Sequence, residues 1–228
     1  MNSRAILIVV VLLVAALGGY GISRYQRTSI DTPAEENDSN RETAHLIAKL
    51  VKEDAKGFTI TMKYPNFGLA AIDTAITAKI DEVILGFRPY GLDNTDTDVP
   101  YDLSSVYDST YIGPDIVSAR LAISTYMGGM HPLTDIRGLN FERESGRELT
   151  LDDALKLIDL SLNDVAKKAR SELSKMLEGS FFPEGTEEKR ENYATFIVNA
   201  DSVIFIFQEY QVGPYAVGPQ EVSFQRRK

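Results

Sequence analysis

Hydrophobic and polar positions divide the chain into an apolar run, a polar stretch and a long patterned body. Ala5 to Ile22 reads AILIVVVLLVAALGGYGI, eighteen residues without a charge. At a helical rise of ~1.5 Å per residue it extends ~27 Å, the thickness of a bilayer core. The pattern therefore predicts a single N-terminal transmembrane helix within residues 1–28. Its short flank, with the whole body behind it, predicts a single-pass protein of the cell membrane with the domain outside the cytoplasm. Ala16-Leu17-Gly18 has the small residues of a signal-peptide cleavage site, so a secreted or periplasmic body is the alternative. Ser29 to Arg41 is polar and contains Pro33, the composition of a tether. Leu46, Ile47 and Leu50 share one face of a short helix expected within Thr43–Lys52, so residues 29–55 read as tether plus helix. Residues 56–228 form the body.

Phe58 to Tyr64 alternates and predicts a strand. Ile72, Ile76, Ile80, Val83, Ile84 and Phe87 recur at helical spacing and predict a helix over Leu69–Phe87, followed by a loop from Arg88 to Asp102. Leu103–Tyr111 and Ile116–Tyr126 are strands about the turn residues Gly113-Pro114-Asp115. In the second, Val117, Ala119, Leu121 and Ile123 face one way, and Ser118, Arg120 and Ser124 the other. One face is therefore expected buried and the other partly wet. Gly128-Gly129 breaks the pattern, and Thr134–Glu144 resumes it. Thr150 with Asp153 three residues on is a capping pattern that starts a helix and accounts for Asp152 and Asp153 without chemistry. Leu162, Val165, Ala166, Ala169 and Leu173 form a second helical stripe, stopped by Gly179. Tyr193–Asn199, Val203–Tyr210 and Glu221–Phe224 are the last strands. Val203–Phe207 is apolar on both faces and reads as a covered central strand. This order predicts an α+β fold, an antiparallel sheet with helices packed on one face.

Composition narrows the chemistry. The net charge is −9, which disfavours nucleic acid and suits a basic partner. Cysteine is absent, which excludes disulfides, thiol catalysis, cysteine–zinc sites and a lipid-modified cysteine. His45 and His131 are the only histidines, too few for a multi-histidine metal centre, and no cofactor motif is present. Asn94, Asp96 and Asp98 alternate as in a calcium loop, but Val99 and Ser105 stand where the glycine and the bidentate glutamate belong. No nucleophile elbow, phosphate loop or zinc-protease motif occurs. The remaining candidates are Tyr126, Gly128, Gly129 and His131 in one loop, and Tyr210 and Tyr215 in another. His131 either acts as a general base oriented by Asp135, or pins its loop by bonding to backbone or a neighbouring tyrosine. Tyr210 and Tyr215, among Pro214 and Pro219, are rigid aromatics suited to an interface or to packing at the sheet end.

Three stretches in order carry a resemblance: Tyr126-Met-Gly-Gly-Met-His131 with Leu139-Asn-Phe141; Ser145 to Asp153; and Glu209 to Val222. Together they resemble a bacterial domain of unknown function, found in the extracytoplasmic part of RsiV anti-sigma factors and ahead of the catalytic domain of PdaC peptidoglycan deacetylases. Met130, Pro132 and Gln211 depart from the family pattern. The resemblance implies an extracytoplasmic binding or sensing domain for a protein or cell-wall ligand; RsiV-like domains bind lysozyme, a basic protein. Only Met1 to Arg4 precede the apolar run, so no sigma-holding segment is expected, and no deacetylase domain is expected after the body. A cell-envelope hydrolase using His131 with carboxylates, and a structural part of an envelope complex, are the alternatives.

Overall fold

The structure, a computed structural model, describes residues 24–30, 43–94 and 98–227. The apolar run Ala5–Ile22 and most of the tether lie outside the described residues. Within them, no helix is long and apolar enough to cross a membrane.

A six-stranded sheet holds the first half of the body. Strands β1 (Arg24–Ile30), β2 (Ile47–Ala55) and β3 (Phe58–Asn66) run antiparallel, with β2 and β3 joined by a two-residue turn at Lys56-Gly57. The short helix expected within Thr43–Lys52 is thus a strand. Leu46, Ile47 and Leu50 fit a helical face, but Val51 and Glu53 alternate into the interior with Lys52 and Asp54 exposed once the chain pairs with β3.

Helix α1 (Ala70–Asp93) then crosses over, and β4 (Tyr101–Ile112) pairs parallel to β3. The sheet is therefore mixed, not antiparallel, because a helical crossover returns the chain in its starting direction. Helix α1 buries Ile72, Ile76, Ile80, Ile84 and Phe87 against the sheet. It also passes through Pro89, beyond the predicted stop at Phe87. Three contacts hold this last turn. Gly91 lies so close to Phe58 that a Cβ there would sit 2.6 Å from its ring. Arg88 pairs at 2.8 Å with the buried Glu53. Asn94 Nδ2 donates to the Gly57 carbonyl at 2.9 Å.

Strands β5 (Ile116–Tyr126) and β6 (Leu133–Glu142) complete the sheet antiparallel. Helices α2 (Leu151–Ile158) and α3 (Leu162–Leu177) follow. A second, three-stranded sheet is then built from β7 (Phe196–Val198), β8 (Ser202–Phe207) and β9 (Gln220–Gln225). Strand β8 is central, as its two-sided apolar sequence predicts. Val203, Phe205 and Phe207 face α2 and α3, while Ile204 and Ile206 face the large sheet with Ile136 and Ile197.

The helices are consequently not all on one face. Helix α1 covers one side of the large sheet, and the small sheet backed by α2 and α3 covers the other at β5 and β6. The face of β5 expected to be partly wet is an interface between sheets, and Ser118 on it is fully buried. Ser118 Oγ donates to Asn140 Oδ1 at 2.7 Å and accepts from Val198 N at 3.0 Å. Asn140 Nδ2 donates to the Phe196 carbonyl at 2.7 Å. A Cβ on Gly138 would sit 1.7 Å from that same carbonyl, so only glycine lets β7 lie this close.

Removing the Asn140 amide strands the Phe196 carbonyl in a dry interface. Asn140→Ala is expected to lower unfolding free energy by about 1–3 kcal/mol, read as a reduced urea midpoint at unchanged slope. An unchanged midpoint would show that the two sheets do not depend on this bond.

Candidate functional site

Strand β5 ends at Tyr126, whose register partner Asp102 lies at the start of β4. The chain reverses through Gly128 and Gly129, at φ +84° and +109°, a region that glycine enters without strain. Tyr126 Oη donates to the Gly129 carbonyl at 3.1 Å and closes the loop on itself. This loop presents His131. Its ring stacks on Tyr215, centroids 3.7 Å apart and planes 17° apart. Tyr210 leans on Tyr215 at 5.8 Å. The two predicted loops therefore meet, although dozens of residues separate them in the chain.

The imidazole is oriented by the backbone. Nδ1 lies 2.9 Å from the Pro132 carbonyl, an acceptor only, so this nitrogen carries the proton. Nε2 then faces the Tyr210 hydroxyl at 3.5 Å. Asp135, expected to orient His131, is instead held by Arg137 at 2.8 Å. The His131 ring thus bonds to backbone and lies beside a neighbouring tyrosine, and Asp135 does not orient it.

The second loop is fixed by side chains that sequence reasoning missed. Gln208 lies against the free edge of β6 like a short extra strand, its Oε1 accepting from Ile136 N at 2.9 Å and its Nε2 donating to the Ile136 carbonyl at 2.7 Å. Glu209 accepts from Thr134 N at 3.1 Å. Gln211 accepts from Gln208 N at 2.9 Å and donates to the Gly185 and Asn192 carbonyls. Tyr210 is thereby held at φ +63° and is half exposed. The available signal was a polar Gln-Glu-Tyr-Gln run directly after an apolar central strand. Around the stacked rings, Met127, Met130 and Leu133 are also exposed.

Elsewhere, acids that invited catalytic roles are committed. Asp153 accepts from Thr150 N at 2.9 Å and Thr150 Oγ1 accepts from Asp153 N at 3.3 Å, completing the capping box. Arg147 joins it at 2.7 Å. That guanidinium, with the Thr150 bonds, holds the Asp153 carboxyl far below the usual carboxylate range. Asp152 pairs with Arg190 at 2.9 Å, which also lowers its pKa. A cleft of about 330 Å³ beside α2 contains Glu142, Arg147, Asp153, Lys156 and Arg227. Its arginines are neutralised in place, Arg147 by Asp153 and Arg227 by Asp159. His45 packs its ring over Gly68, far from His131 in the fold. Among the described residues, no three histidine or acidic side chains are placed to hold a metal.

Comparison with known proteins places these features. Residues 152–227 match the family described as Protein of unknown function (DUF3298). That segment spans α2, α3 and the small sheet, and contains Tyr210 and Tyr215 but not His131. The peptidoglycan-N-acetylmuramic acid deacetylase PdaC of Bacillus subtilis (strain 168) is 25% identical over 186 residues, 79% of this chain and 40% of that protein. The chain thus spans well under half the length of this curated relative. The resemblance to a PdaC-like domain read from the three motifs is borne out. A crystal structure of a DUF3298 family protein from Pseudomonas aeruginosa PAO1 shares the fold at TM-score 0.53, with 11% identity and coverage of 90% of this chain and 91% of that one. A DUF3298 member from Bacteroides fragilis NCTC 9343 aligns at TM-score 0.45, with 18% identity, over 81% and 92% of the two chains.

A carboxyl with a depressed folded-state pKa stabilises the fold above its unfolded value, about 3.9, and that stabilisation is lost as pH falls toward the folded value. Asp153→Ala is therefore expected to destabilise the protein by about 1 kcal/mol at pH 7. The gap from wild type should narrow below about pH 4, as followed by urea unfolding across pH. A gap constant down to pH 2 would show that the Asp153 charge is not what caps α2.

Proposed function

We propose that this protein is a membrane-anchored extracytoplasmic binding module, held by residues 5–22, with a ligand site formed by His131 on the Gly128-Gly129 loop and by Tyr210 and Tyr215 on the loop that follows the strand Ser202–Phe207. The observation that carries the proposal is the stacked His131–Tyr215 pair, partly exposed beside the exposed Tyr210, on loops tied from both sides to the sheet. Rings already ordered in the free protein lose little entropy on binding. An open aromatic shelf suits the C–H face of a sugar ring. PdaC is named for a peptidoglycan N-acetylmuramic acid substrate, so cell-wall glycan is the ligand class put forward. A second reading, a basic protein such as lysozyme, is favoured by the net charge of −9. The hydrolase alternative draws no support from the site, because Asp135 is engaged by Arg137 and His131 by backbone.

Calorimetric titration of the detergent-solubilised full chain with muramic-acid-containing glycan fragments tests this. Binding is expected, with His131→Ala and Tyr215→Ala each weakening it about three- to tenfold, the value of one aromatic pair. Binding of lysozyme instead, weakening steeply with salt, would move the assignment to the basic-protein reading. No heat with either ligand would overturn the binding-module proposal and favour a structural role in an envelope complex.

A further inference from the structure

A cluster of exposed large apolar side chains lies at the end of the large sheet where β1 begins, while others, such as Leu85, Val106, Ile112, Met176 and Phe182, are scattered elsewhere. Register shows this directly. Arg24 pairs with Asp54, next to the Lys56-Gly57 turn. Gly57 abuts the C-terminal end of α1, since its Cβ would meet the Asn94 and Gly91 carbonyls at 2.5 and 2.8 Å. Tyr101, opening β4, donates its N–H to the Gly57 carbonyl at 2.9 Å. Its ring lies 4.0 Å from where a Cβ would stand on Gly128. The β2–β3 turn, the end of α1, the start of β4 and the β5–β6 loop therefore share one edge of the molecule.

Tyr90, Leu92, Val99, Met127, Met130 and Leu133 are all exposed along this edge, Met130 completely and Leu92 at 67%. Isolated surface apolar residues need no explanation, but a concentration at one end does. The apolar run ends at Ile22 and β1 begins at Arg24, so Ser23 alone separates them. On the membrane-anchored reading, a span over residues 5–22 would leave one residue before the paired backbone of β1 begins. The edge that carries these side chains would be pressed to the lipid surface.

We infer that this end of the domain is a bilayer-contact surface, with Leu92, Met130 and their neighbours seated at the lipid interface and the His131–Tyr215 shelf held beside it. The inference rests on the membrane-anchored reading above, and it adds that the ligand is met next to the membrane. Tyrosine is suited to this level, with its ring in the interface and its hydroxyl in water. Asp93 and Asp98 share the end and are exposed, so the contact is apolar and does not depend on anionic headgroups. The opposite end, at the Glu144 turn, stands roughly 30 Å away along β5 and β6.

The chain lacks cysteine, so single labels are clean. The full chain carrying M130C, L92C, E144C or V11C is labelled with an environment-sensitive fluorophore in phosphatidylcholine nanodiscs, with and without nitroxide on the acyl chains. Quenching at V11C, M130C and L92C, several-fold above E144C, is expected. Quenching at V11C but at neither M130C nor L92C overturns the bilayer contact and leaves the anchor standing. No quenching at V11C removes the anchor and the inference with it. A blue-shifted M130C probe that lipid nitroxides do not quench assigns the surface to a protein partner or second copy, and equally overturns it.

Discussion

The architecture depends on one buried polar junction. Ser118 and Asn140, adjacent on β5 and β6, satisfy each other and also the backbone of β7. Two apolar sheet faces slide and rotate with little penalty, because dispersion and burial are weakly directional. Five polar atoms that must find each other out of water permit one register. Gly138 beside them admits the Phe196 carbonyl closer than any side chain would allow. This junction decides which part of the small sheet meets which part of the large one, and hence where the loop after β8 lies relative to the loop after β5.

The proposed ligand site inherits its geometry from that docking. Strand β6 is an edge of the large sheet, and an open edge is a liability for mispairing. Gln208 and Glu209 cover part of it with side-chain amide and carboxylate, using the bonds a neighbouring strand would use. The same bonds carry Tyr210 and, a few residues on, Tyr215 to the ring of His131. Protection of an edge and construction of an aromatic shelf are one set of contacts. A shift of β8 by one residue would expose the edge and separate the rings together.

Charge is organised for stability and solubility more than for catalysis. Arg120 grips Asp108 bidentately and also reaches Glu221 on β9, tying the two sheets at the surface. Arg147, Arg190 and Arg227 each take a carboxylate near α2. These three arginines are engaged in pairs, which fits a net acidic body whose proposed ligand site is aromatic and apolar.

Much of the local structure was legible in the sequence, since capping, turns and helical periodicity depend on neighbours in the chain. The Thr150–Asp153 box, the stop near Gly179, the strand breaks at Gly113 and Gly128-Gly129 and the covered strand Val203–Phe207 all follow from such rules. The candidate residues Tyr126, His131, Tyr210 and Tyr215 were also readable, as aromatic or titratable groups in loops. Pairing and layering were not. Leu46, Ile47 and Leu50 suit a helix until β3 lies alongside, and the apolar spacing ends the long helix at Phe87 until Phe58 and Glu53 hold the next turn. The alternation Ser118, Arg120, Ser124 reads as a wet face until a second sheet covers it. A sequence by itself determines which conformations each segment favours. Only the tertiary structure decides which polar groups are removed from water together, because that depends on what packs over them from distant parts of the chain.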